Sequence, residues 1–198
     1  MGQLKASALF FAQALRDPTA KVLALQSSAQ PVLDWAIAGQ FREAREYARL
    51  LAEVMPNEVA DSVLAYAEFA RLMHAPESDH DSIAREQIAA MDRAASSADS
   101  LLASVDDDST IRRLVAIGAG VTALTCRWLG DDVRATLFRE LAVRLDREDA
   151  LNLASWFTKW DQLRDSPRPI TEPLMQFVGH VAGQSKPHRS LSEFRVAA

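Results

Sequence analysis

The sequence has little of what disulfide-rich and zinc-binding proteins need. Its 198 residues include one cysteine, Cys126, which excludes an internal disulfide and a multi-cysteine zinc site. A lone thiol is typical of a reducing compartment, so we expect a cytoplasmic protein. With 7 glycines and 8 prolines the chain is neither collagen-like nor of low complexity.

Strong charge and long apolar runs are missing as well. The formal net charge is −5 and the pI is near 5.4, so nothing draws the whole chain to nucleic acid or to an anionic membrane. The longest uncharged run, residues 114–126, is shorter than the roughly 20 apolar residues that cross a bilayer. What is present is ordinary globular composition, with 48% hydrophobic and 25% charged residues.

Apolar residues recur at helical spacing along most of the chain, while sustained alternation and Asn-Gly or Asp-Gly turns are absent from the sequence. The sequence therefore predicts an all-α protein of about nine helices, arranged as antiparallel hairpins in a solenoid or as an irregular bundle. Pro18 and Pro31 are each expected to open a helix, because proline suits the first turn. The predicted helices cover residues 4–15, a segment from Asp17-Pro18, 32–38, 42–54, 59–73, 83–105, 111–129, 133–145 and 150–163.

The character of the chain changes after residue 165. Pro167, Pro169 and Pro173 fall close together, which predicts a non-helical segment. A short apolar piece at 174–181 and a basic tail at 183–198 follow. We expect one helical domain over 1–165 and a partly flexible extension over 166–198.

A frame of small residues recurs along the helices. Gly39, Phe41, Ala44, Ala48, Leu51 and Pro56 resemble the second half of a tetratricopeptide repeat, and a similar frame starts at Gly130. In that family a glycine ends helix A, small residues in helix B let the two helices approach, and a proline closes the unit. The resemblance covers about half the chain and implies helical hairpins whose surface binds another protein.

Clusters that could carry chemistry have simpler explanations. The loop at 74–81 holds His74, His80, Asp79 and Asp81, which a solvated loop with a helix-capping aspartate explains. Gly118 and Gly120 lie inside a helix and are expected to allow close helix contact.

Catalytic patterns are absent from the sequence. Cys126 has no nearby histidine to activate it, so a buried structural thiol is expected. The chain has no serine elbow, His-Glu-x-x-His or nucleotide fingerprint. We expect no enzyme activity, no cofactor and no metal site.

The leading functional hypothesis is a non-catalytic adaptor, chaperone or accessory protein of a bacterial cytoplasm that binds a protein or peptide. Two alternatives stay open, namely an acidic inhibitor of a toxin or nuclease, and a small-molecule-binding bundle with a pocket near Trp128, Trp156 and Trp160. Homo-oligomerisation is also left open. The residues assigned to partner binding are Arg42, Arg45, Arg49, Tyr66, Leu191 and Phe194.

Overall fold

The computed structural model describes residues 6, 9–10, 13–14, 16, 21–55, 57–103, 110–146, 151–162 and 170–184. Within these ranges the chain is helical and contains no strand, which confirms the predicted all-α class. A short 3₁₀ turn, Glu77–Asp79, precedes the fourth helix. The eight α-helices of the described residues are α1 (Lys21–Ile37), α2 (Phe41–Ala52), α3 (Asn57–Leu72), α4 (His80–Leu102), α5 (Thr110–Trp128), α6 (Asp132–Leu145), α7 (Leu153–Gln162) and α8 (Thr171–Gln184).

Two helices end in the same glycine turn. Gly39 after α1 and Gly130 after α5 have φ of +74° and +77°, a conformation that glycine adopts without steric cost. The glycine N–H and the next N–H each donate to a carbonyl of the last helical turn, at 3.0 and 2.7 Å in the first case and 3.1 and 2.9 Å in the second. Because these turns are so short, α1 and α2 lie side by side, as do α5 and α6.

The second helix shows why the apolar pattern determines packing. Its apolar residues Phe41, Ala44 and Leu51 are buried on one face, while Arg42 and Arg49 point to solvent. Burial of each large apolar side chain contributes about 1.5–3 kcal/mol, which is more than the surface charges of such a helix supply.

The fifth helix is the centre of the fold. It contacts α1, α3, α4, α6 and α8, and its residues 114–126 are all buried. In a solenoid each unit touches only its neighbours, whereas here α1 also contacts α5 and α8. This packing favours the irregular bundle among the two predicted arrangements. The tetratricopeptide resemblance of the α2–α3 region stays a prediction.

Two prolines lie within helices although the sequence predicted otherwise. Pro31 was expected to open a helix, but it lies inside α1, which runs continuously from Lys21 to Ile37. Proline removes one helical hydrogen bond, and the buried face formed by Val32 and Leu33 offsets that loss. Pro173 belongs to the first turn of α8, where a missing N–H costs little.

The expected apolar piece at 174–181 is part of α8. Its residues Leu174, Phe177 and Val181 are buried, and the helix packs on α1 and α5. This part of the extension therefore lies against the helical domain. Residues 163–169 and 185–198, which include the rest of the extension and its tail, lie outside the described residues.

Candidate functional site

The residues that the sequence assigns to partner binding do not form one surface. Arg42, Arg45 and Arg49 lie on α2, with Arg42 pairing to Glu46 at 3.4 Å through a side chain that stays 79% exposed. This spacing of arginines and glutamates is that of an ordinary solvated helix face.

Tyr66 is a core residue instead. It is 1% exposed and packs edge-to-face on Phe69 with ring centroids 5.6 Å apart. Burial raises the pKa of its hydroxyl well above the ordinary value. A side chain with so little accessible area offers no surface to a partner, so the prediction that Tyr66 binds a partner is wrong. Leu191 and Phe194 lie outside the described residues.

The histidines of the 74–81 loop serve packing and hydrogen bonding. His74 packs on the Phe41 ring at 5.7 Å, and the buried His80 places Nε2 3.1 Å from the Ala75 carbonyl oxygen, to which it donates. Among the described residues, no three His, Cys, Asp or Glu side chains come together as a metal site would require.

Cys126 lies inside α5 with its side chain buried. Burial, with smaller contributions from Asp131 and Asp92, raises the thiol pKa to about 12. The thiol is therefore protonated at neutral pH, and a protonated thiol is a poor nucleophile.

Exposed apolar side chains are found where α5 ends and α6 begins. Large apolar side chains at Trp128, Val133 and Leu137 are 41%, 73% and 58% exposed. We call these three residues the α5–α6 apolar surface. Val133 and Leu137 are four residues apart and share the outer face of α6. Such a concentration of exposed apolar side chains is typical of an interaction surface.

The start of α6 is held in place by charged hydrogen bonds. Asp131 caps the helix by accepting from the Arg134 backbone N–H at 3.1 Å, and its other oxygen accepts from the Arg134 guanidinium at 2.7 Å. These bonds hold the pKa of the Asp131 carboxyl below its usual range. Arg134 also donates to Asp92 at 3.1 Å, which ties α6 to α4.

A cavity of about 380 Å³ opens between α5, α6 and α7. Asp161 of α7 forms its polar wall by bridging two arginines, with Arg127 at 3.0 Å and Arg139 at 2.5 Å. The Arg139 guanidinium lies 5.3 Å from the centroid of the Phe157 ring, an arrangement that favours cation–π attraction. Trp160 completes the wall. Of the three tryptophans near which a pocket was predicted, Trp160 lines this cavity, whereas Trp128 and Trp156 are not among its lining residues.

A second cavity, of about 420 Å³, lies between α4 and the start of α6. Its charged lining residues Asp92, Asp131 and Arg134 are joined to one another by hydrogen bonds. Each of these three side chains therefore already has a hydrogen-bond partner within the cavity lining.

Sequence reasoning missed the features that stand out in the structure. The exposed pair Val133 and Leu137 interrupts the polar face of α6, and that break in the pattern was the available signal. The bridge from Arg127 to Asp161 spans 34 residues. No local pattern marks such a pair, since only packing of α7 near α5 brings the two side chains together.

Comparison with protein-family models, with curated proteins and with solved structures finds no match to this chain. In the part of the chain that the structure describes, no helix combines the length and the hydrophobicity of a membrane span.

Proposed function

We propose that this chain is a non-catalytic protein-interaction protein that binds a partner through the α5–α6 apolar surface. The observation that carries the proposal is the exposure of Trp128, Val133 and Leu137 within ten residues of chain. Exposed side chains of this kind lose contact with water when a partner covers them, and each contributes free energy in proportion to the apolar area buried.

The outer face of α6 suits a helical segment of another protein. Val133 and Leu137 lie one turn apart, which matches the spacing of apolar anchors on a facing helix. Asp131, Arg134 and Asp92 fix the start of α6, so that little ordering is needed when a partner binds. The adaptor, chaperone or accessory role and the cytoplasmic setting remain part of this proposal.

The acidic-inhibitor alternative has less support from the described carboxylates. An acidic inhibitor would present its carboxylates to a basic partner, but Asp146 is buried and accepts two backbone N–H groups. Asp131 is engaged by Arg134. The acids at 106–108 and 148–149 lie outside the described residues.

Site-specific photo-crosslinking in the native host tests the proposal. A photoreactive phenylalanine analogue placed at Leu137 should form an adduct with a heterologous protein, and Val133→Asp in the same chain should abolish it. The same analogue at Arg42 on α2 is the control, because this side chain is also exposed but lies on the surface that the sequence favoured. An adduct of two copies of this chain, or adducts only from position 42, would contradict the proposal.

Salt dependence separates the two kinds of complex. Binding through apolar contacts should change little between low and high ionic strength, whereas capture of a basic toxin by acidic side chains should weaken strongly as salt rises. The measurement is the dissociation constant of the purified complex across a salt series.

A further inference from the structure

The end of α8 lies close enough to the α5–α6 apolar surface for the following segment to reach it. Phe177 of α8 packs against Gly120 of α5. The last residue of α8, Gln184, lies about 10.5 Å beyond Phe177 along the helix axis. Trp128, at the end of α5, lies about 12 Å beyond Gly120. Because packed helix axes are about 10 Å apart, these two helix ends are separated by about 33 Å at most, whatever the angle between the helices.

Residues 185–198, which we call the tail segment, are long enough to cover this distance. Phe194 is ten residues beyond Gln184, and ten residues of extended chain span about 33–36 Å. The Phe194 side chain can therefore reach the end of α5 for any orientation of α8. The sequence assigns Leu191 and Phe194 to binding, and the tail segment brings both of them within range of this surface.

The tail segment supplies apolar side chains that match the exposed ones of α6. Leu191 and Phe194 are three residues apart, a spacing that places two side chains on one face of a helical turn. Val133 and Leu137 are four residues apart and are 73% and 58% exposed. When two such pairs meet, both lose contact with water, and the gain is proportional to the apolar area that is buried.

The charges next to the surface complement those of the tail segment. Asp132 and Glu140 lie on either side of the exposed apolar pair of α6 in sequence. Both carboxylates are exposed, and neither forms an ion pair with a described residue. The three arginines of the same helix all have partners of their own. The tail segment carries three lysine or arginine side chains and one glutamate in a chain of net charge −5, so it is a basic part of an acidic chain and is attracted to these carboxylates.

We propose that the tail segment docks on the α5–α6 apolar surface of its own chain and competes there with the partner. Leu191 and Phe194 cover Val133 and Leu137, and the basic side chains of the segment lie beside the carboxylates of α6. A tethered segment has an effective concentration of the order of millimolar, so a contact with a millimolar dissociation constant forms in about half of the molecules. The contact needs no partner, whereas the competition rests on the proposed function.

Photo-crosslinking in the purified full chain tests the contact. A photoreactive phenylalanine analogue at Phe194 should form an adduct within one chain, and mass spectrometry should locate it in residues 128–139. Val133→Asp should lower the yield about fivefold or more, because the contact would bury a charge. Met175→Asp is the matched control and should leave the yield unchanged, since Met175 is also a large apolar side chain, 47% exposed, but lies on α8.

Charge variants show whether the carboxylates of α6 contribute. Asp132→Asn combined with Glu140→Gln should lower the yield of the adduct about two- to threefold, because exposed ion pairs contribute modestly. Asp81→Asn is the control and should leave the yield unchanged, since this carboxylate is exposed at the start of α4. An unchanged yield in the double variant would exclude the assigned charge contacts.

Competition with the partner is measured in the native host. Leu191→Ser combined with Phe194→Ser should raise the yield of the heterologous adduct from position 137 about twofold, because the surface is then free in all molecules instead of about half. An adduct within the chain but none with another protein would support the tail contact and contradict the proposed function. A heterologous adduct without the adduct from position 194 would do the reverse.

The inference is overturned if the analogue at position 194 gives no adduct with residues 128–139. It is equally overturned if the adduct joins two copies of the chain, which its doubled mass and its loss on dilution would reveal. Equal yields from the Val133→Asp and Met175→Asp variants would also exclude the α5–α6 apolar surface as the docking site. A folded state is established for each variant by its thermal melting curve.

Discussion

Two glycines in α5 have different roles although they are two residues apart. A Cβ built on Gly120 would lie 2.5 Å from Cζ of Phe177, so α8 approaches α5 as closely as a missing side chain allows. A Cβ on Gly118 would instead lie 3.7 Å from Sδ of Met91, which is ordinary contact. The expectation that glycine permits close helix contact is confirmed for Gly120, and Gly118 has ordinary space around it.

We therefore predict opposite effects of alanine at these two positions. Gly120→Ala should destabilise the protein by about 1–3 kcal/mol, because Phe177 must move out of a packed site. Gly118→Ala should be neutral or stabilise by up to about 1 kcal/mol through helix propensity. Urea unfolding curves measure both. Equal losses of stability in the two variants would show that α8 does not pack on Gly120.

Cys126 should be unreactive in the folded protein. Its thiol pKa is raised to about 12 by burial, and its side chain is out of contact with solvent. Iodoacetamide at neutral pH should therefore label it only when the chain unfolds, at a rate that rises with denaturant. Cys126→Ala combined with Ser82→Cys supplies an exposed thiol as control. Rapid labelling of native Cys126 would contradict its placement inside α5.

Among the elements, α7 depends on a single buried carboxylate at its start. Asp146 accepts from the backbone N–H of Leu151 at 2.7 Å and of Leu153 at 2.8 Å. His180 of α8 donates to the Leu151 carbonyl oxygen at 2.9 Å, so the same segment is attached to the last helix. These bonds set where α7 begins, and α7 in turn brings Trp160 and Asp161 to the cavity wall.

Removal of the Asp146 carboxylate should lower the free energy of unfolding more than substitution of an exposed aspartate does. Asp146→Ala leaves two buried N–H groups without acceptors and should destabilise by about 2–4 kcal/mol. Asp146→Asn keeps one acceptor oxygen and should lose roughly half as much. Asp81→Ala on the exposed start of α4 is the control. The free energy of unfolding in urea checks the order, and a neutral Asp146→Ala variant would exclude the capping role.

For the whole molecule, the packing of the helices buries three groups that ionise at high pH. Burial raises the pKa of Cys126 from 9.0 to about 12 and of Tyr47 from 10.0 to about 12, and it raises that of Tyr66 further. Each group stays protonated in the folded chain at a pH where the unfolded chain has lost the proton. Their contribution to stability is complete below pH 9 and falls as pH rises.

The protein should therefore become less stable above about pH 9. We expect a loss of about 5 kcal/mol by pH 11, about half of it from Cys126, because each pKa unit corresponds to about 1.4 kcal/mol. Unfolding free energies measured between pH 8 and 11 test this. Cys126→Ala and Tyr47→Phe should each make the decline shallower. A stability that stays constant over this range would contradict the burial of these groups.

Helical periodicity together with local capping signals located most of the elements. The predicted helices over 111–129 and 133–145 differ from α5 and α6 by one residue at most at each end. Gly130 with Asp131 supplied the stop and start signals, which act locally and so are visible in sequence. At Pro31 the local rule failed, because tertiary packing of α1 outweighs one lost hydrogen bond.

The sequence by itself determined that the chain is all-α, that each helix has an apolar face, and where most helices begin and end, because capping and periodicity depend on neighbouring residues. Only the tertiary structure decided which helix lies at the centre and which side chains meet. In the structure Tyr66 lies in the core and Val133 and Leu137 are exposed. Trp160 and Arg127 line the same cavity. These outcomes depend on contacts between residues far apart in the chain, and a local pattern carries no information about such contacts.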